Sequence, residues 1–130
     1  MLTPSRDRGA SAVEFALVLP ILLLLVLGII EFGRAYHVQT TLSNAARDGV
    51  RVMALQDSAT AAISSAKSSA SPLDLSTAEI VVTPTAGCSA AVTGSGIASV
   101  TITYPFALIS GFLPINDLTL TGKGTMRCFG

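Results

Sequence analysis

The sequence predicts an α+β fold: a long N-terminal transmembrane helix that continues as a stalk and packs on a small antiparallel β-sheet head. Three observations carry this. From Phe15 to Ile30 the chain is apolar without a break. Between Ala35 and Met53, apolar and small residues recur at spacings of three and four, the period of one helix face. Beyond Pro72 the period changes to two, in runs rich in Val, Ile, Thr and Leu bounded by Pro and Gly.

The segments follow from these changes of period. Residues 1–9 form a short basic leader, 10–30 a transmembrane helix and 31–56 a helical stalk. Residues 57–71 read as a short helix or a linker, and 72–130 as a β-rich extracytoplasmic head. A chain of 130 residues has room for one small domain and one anchor. Its formal net charge of zero offers no basic patch for nucleic acid.

At about 1.5 Å per residue, Ala10 to Ile30 spans roughly 31 Å, the thickness of a bilayer core. Glu14 is the single charge within it. Arg6 and Arg8 precede the run, while Glu31 and Arg34 follow it as a balanced pair, so the N-terminus is expected in the cytoplasm and the head outside it. A buried helix of a soluble domain would need more protein around it than the remaining residues supply. A secretory signal peptide cut after the run is disfavoured, because Glu31-Phe32-Gly33-Arg34 holds no small-x-small site. Pro20 removes the helical hydrogen bond to the carbonyl of Ala16, which predicts a kink or loosened turn there.

In the stalk, Ala35, Val38, Leu42, Ala45, Gly49 and Met53 make the apolar stripe, small in its middle, so a partner surface can approach closely. Asp57-Ser58 is placed to cap a second helix across Ala59–Ser69, which Pro72 ends; a flexible linker over Ser64–Ser71 is the alternative. Strands are expected at Ala78–Thr83, Ser99–Tyr104 and Asp117–Met126, with Gly87–Gly96 and Ala107–Ile115 as connections. Val100, Ile102 and Tyr104 share one face, as do Leu118, Leu120 and Gly122. Three strands alone bury too little, so the stalk stripe is their natural cover. Cys88 follows the first strand and Cys128 ends the last; outside the cytoplasm they can pair as a disulfide, the alternative being two buried thiols.

Gly9 stands before Ala10-Ser11-Ala12-Val13-Glu14-Phe15, and this layout resembles the processing site of type IV pilins and pseudopilins. In that family a prepilin peptidase cuts after the Gly and the fifth mature residue is Glu. The run from Gly9 to Pro20, then Glu31-Phe32-Gly33-Arg34 and Asn44-Ala45-Ala46-Arg47-Asp48-Gly49-Val50-Arg51, resembles TadE-like pseudopilins. More loosely, Val100–Phe106, Leu118–Leu120 and Thr125–Arg127 resemble the family's closing strands.

The resemblance implies a pilin-like, non-catalytic minor component of the tight-adherence (Flp, type IVc) pilus machinery, single-pass in a bacterial inner membrane. It implies Gly9 and Ala10 as the processing site, and Glu14 with Phe15 as the subunit-assembly position. The implied partners are a prepilin peptidase, other pilins and pseudopilins, the inner-membrane assembly platform and the bilayer. The implied product enters the fibre, primes it at its base or serves another secretion system. Asp74-Leu75-Ser76-Thr77-Ala78 comes near the metal-binding pattern of larger relatives but lacks its second Ser, and reads as a loop.

No enzyme is legible. His37 is the one histidine, on the stalk surface without a paired nucleophile, and no metal-ligand spacing or cofactor motif accompanies it. Gly122-Lys123-Gly124-Thr125 lies in a strand pattern and lacks the upstream Gly of a phosphate loop. Arg47, Asp48 and Arg51 read as a solvated helical face. The rival class is a single-pass membrane-anchored periplasmic binding module, which would keep residues 1–9 and have no use for Glu14.

Overall fold

The computed structural model describes residues 6–89, 96–109, 111 and 118–128, with side chains from residue 9 onward. Helix α1 is Arg6–Gln56 and helix α2 is Ala59–Ser69. Strands β1 (Glu79–Thr83), β2 (Ile97–Phe106) and β3 (Leu118–Arg127) form one antiparallel sheet in the order β1-β2-β3. The chain divides into two compact units, one reaching to Arg34 and one beginning at Ala35.

The second unit holds the core. The α1 stripe is buried at Val38, Leu42, Ala45 and Met53 and is joined by Ala46 and Val50. Its sheet partners are Val82, Ala98, Val100, Ile102 and Phe106, all buried. Along β2 the inward positions alternate with Ser99, Thr101 and Thr103, the pattern of a sheet with one covered face. The long helix is thus packed on a small sheet, as the periodicities predicted.

Close approach of α1 to β3 depends on Gly122 and Gly124. Both are buried, two residues apart on the same face of the strand. A Cβ on Gly122 would collide with the backbone of Leu42, and one on Gly124 would lie 2.6 Å from the carbonyl oxygen of Ala46. Two strand residues advance about 6.8 Å and four helix residues about 6 Å, so the two repeats run nearly in step. Gln39 adds a polar tie, its Nε2 donating to the carbonyl of Thr121 at 2.7 Å.

Strand limits differ from the sequence reading at identifiable points. β1 begins at Glu79 because the Ala78 N–H is used in a turn, donating to the Leu75 carbonyl at 3.2 Å. β2 runs through Pro105 to Phe106, past the expected end at Tyr104. Pro105 pairs with Thr119 on β3, but β1 partners reach only Thr103, so β2 is an edge on its other side there and loses no ladder bond. β3 extends to Arg127, opposite Ile97. The expected start at Asp117 and most of the two expected connections, residues 90–95, 110 and 112–117, lie outside the described residues.

Helix α2 starts at the N-cap Ser58, whose hydroxyl accepts from the Ala61 N–H at 3.3 Å. Its Ala62 and Ala66 are fully buried against Gly49 of α1, where a Cβ would meet the Ala62 carbonyl oxygen and the Ala66 methyl at 3.1 Å each. Asp57 links the two helices with a positive φ of 54°, and its N–H donates to the Met53 carbonyl at 3.1 Å. Its carboxylate accepts the Ser89 N–H at 3.0 Å and the Ser89 hydroxyl. Gly87 packs its bare Cα beside this contact, with φ +99° and room for no side chain, since a Cβ would lie 2.6 Å from Asp57 Oδ1. Cys88 is bonded to Cys128, their Cα atoms 5.5 Å apart.

Candidate membrane-anchoring and assembly segment

An apolar residue in water is favoured to bury, at roughly 25 cal/mol per Å². The first part of α1 does the reverse: every residue from Gly9 to Ile30 is exposed. Phe15, Leu17 and Ile21 each present about two thirds of their surface. The helix from Gly9 contains an 18-residue window of mean hydropathy 2.9, none of it buried. It is long and apolar enough to cross a membrane.

Gly9, Ala10, Glu14, Phe15 and Pro20 all lie within this helix, which continues unbroken through Pro20. Of the expected leader, residues 1–5 lie outside the described residues. Nothing stands within 4 Å of a Cβ built on Gly9. Helical geometry puts Glu14 one turn after Ala10, about 6 Å along the axis. Its carboxylate is exposed among apolar neighbours, Val13, Phe15, Leu17 and Val18, all exposed themselves.

The apolar run ends at a charged pair: Arg34 Nη2 lies 3.5 Å from Glu31 Oε2 across one helical turn. Thr40, Thr41 and Ser43 follow, each hydroxyl donating to the carbonyl four residues back, at 2.6, 3.0 and 2.9 Å. These bonds keep the polar side chains against the helix itself.

Sites other than the apolar helix offer little chemistry. Among the described residues no group of three His, Cys, Asp or Glu side chains could hold a metal ion. His37 is exposed beside a shallow recess formed with Val38, Thr41, Ala70, Pro72 and Leu73. Arg47, Asp48 and Arg51 are exposed on α1. Asp74 sits in the loop before β1, where its carboxylate accepts the Ser76 N–H at 2.9 Å and the Ser76 hydroxyl at 3.0 Å. The backbone bond first, then the hydroxyl, hold its carboxyl below the ordinary aspartate value.

Two features have no counterpart in the sequence reading. The Asp57–Ser89 contact joins residues 32 apart, and only the Asp-Ser pair at the helix junction signalled that capping chemistry was near. The glycine pair of β3 had a clearer signal: two glycines at strand period opposite a helix stripe that is itself small.

The sequence family described as TadE-like protein matches residues 9–51, which takes in the exposed apolar helix, the Glu31–Arg34 pair and most of the buried stripe. No match to a curated protein or to a solved structure was found. Over the segment from Gly9 to Arg51 the chain is similar to TadE-like proteins.

Proposed function

We propose that the protein is a non-catalytic pseudopilin, a minor structural or assembly component of a type IVc (Flp/Tad) pilus at the bacterial inner membrane. One observation carries this reading: the TadE-like segment begins at Gly9 and places one carboxylate, Glu14, at the start of a helix exposed on all sides. A soluble domain gains nothing from such a helix, whereas a bilayer and neighbouring apolar helices cover it.

In this reading a prepilin peptidase removes Met1–Gly9 and frees the Ala10 amine. A carboxylate at the bilayer centre costs roughly 2.5–3.5 kcal/mol, and less near the interface. Pairing Glu14 with the terminal amine of an adjacent subunit offsets that cost and sets the axial register of assembly. Phe15 lies beside the pair as an apolar contact, and Pro20 removes one helical hydrogen bond further in. The head, Ala35 onward, is held outside the cytoplasm, where Cys88 and Cys128 are oxidised.

Intact mass of the protein extracted from membranes tests the reading. Loss of the nine leader residues supports a pseudopilin. A full-length chain from cells that contain the peptidase overturns it and favours the anchored binding module.

A further inference from the structure

The disulfide occupies a particular place in the topology. β2 lies between β1 and β3, so the two outer strands do not touch each other. The bond from Cys88 to Cys128 therefore straps the segment after β1 to the end of β3 across one end of the sheet. The Cys128 N–H donates to the Gly96 carbonyl at 2.6 Å, just ahead of β2. Cys88 is fully buried at this strap.

The residue after Cys88 ties the sheet's loop to the helix junction: Ser89 gives both its N–H and its hydroxyl to Asp57. Gly87, the residue before Cys88, packs against the same carboxylate. Asp57 holds a left-handed backbone conformation that costs a non-glycine residue energy and that surrounding contacts must maintain. Ser58, its neighbour, caps α2, and α2 then seats Ala62 and Ala66 on Gly49. One covalent bond thus anchors the tripeptide Gly87-Cys88-Ser89, and that tripeptide fixes the residue from which α2 departs.

We infer that the Cys88–Cys128 bond is an oxidation-gated latch for α2: the helix seats on α1 only after the two thiols are joined, through the clasp of Ser89 on Asp57. Joining them forms one Sγ–Sγ bond and releases two protons and two electrons. A dithiol–disulfide oxidoreductase in its disulfide form accepts them and leaves as its dithiol. That such an oxidant meets the head in the cell rests on the extracytoplasmic placement under Proposed function; the latch itself is a property of the folded chain and is tested on purified protein.

The test is amide hydrogen exchange on the full chain in detergent, oxidised and reduced, comparing α2 amides such as Ile63 and Ala66 with Val100 and Ile102 of β2. Losing a hydrogen-bonded carboxylate clasp should speed α2 exchange by about tenfold or more relative to β2. Asp57→Gly removes the carboxylate while keeping the positive φ free of strain. In the oxidised state it should show the same α2 acceleration, and reducing it should add little. Asp57→Asn, which can still accept from the Ser89 N–H, should restore most of the protection. Equal acceleration of α2 and β2 on reduction would mean that the bond merely stabilises the whole head and would overturn the latch. So would an Asp57→Gly protein in which α2 still responds to reduction as the wild type does.

Discussion

The carbonyl oxygen of Ala46 lies 2.6 Å from the point where a side chain on Gly124 would begin. Helix backbone and strand backbone are in contact there without an intervening side chain. Gly122 repeats the arrangement one helical turn away, against Leu42. Val100 and Ile102, paired with these glycines across the sheet, are fully buried beside them on β2.

Gly124→Ala should therefore destabilise the head by about 1–3 kcal/mol, because the obstructing atoms are backbone and cannot rotate away. Thermal unfolding in detergent should show a midpoint lower by roughly 5 °C or more. Gly33→Ala, at a position with nothing within 4 Å, should leave the midpoint unchanged. Equal midpoints for Gly124→Ala and wild type would show that α1 does not rest on β3 in this way.

Asp74 supplies a pH dependence of known sign. Its folded carboxyl titrates below the ordinary value, so the Ser76 bonds contribute stability above the unfolded aspartate pKa and lose it as pH falls through the folded one. Carbon-detected NMR titration should place the Asp74 transition lower in wild type than in Ser76→Ala. The variant should recover only part of the difference, because the Ser76 N–H remains.

Gly9→Val should leave the protein in the membrane at full length. In the proposed reading the peptidase takes a bare Cα at this position, and a β-branched side chain there should block it. Mass spectrometry of the extracted protein reads the result directly, and normal removal of residues 1–9 from the variant would show that Gly9 is not the recognised residue.

Glu14→Leu should insert and be cleaved normally, since it makes the helix more apolar, yet fail to support pilus formation in a deletion strain. The measurement is piliation by electron microscopy beside immunoblots for processing. Full piliation would mean that charge pairing is not the purpose of Glu14.

What was legible in the sequence was whatever repeats. The helix of α1 announced itself by an apolar run and then by a stripe whose members are buried or half-buried without exception. The sheet announced itself by alternation, correct to within a few residues at each end. Pro105 concealed the end of β2, because a proline reads as a break unless one knows that the neighbouring strand has already stopped. Asp57 and Ser89 were illegible for a different reason. A contact between two single polar residues 32 apart leaves no period to detect, and it forms only after α1, α2 and the sheet have been brought together.

The order of strands has a consequence for how the protein is made. Gln39 and Thr121 are 82 residues apart, and the strand that meets the helix at Leu42 and Ala46 is made after β1 and β2. Until then the stripe on α1 lacks its backbone contact with β3, and local contacts cannot substitute for a pairing of such long sequence separation. That contact therefore forms after β1 and β2 have been made. Any shortening of the chain within β3 should leave Leu42 and Ala46 without the glycine backbone they rest on.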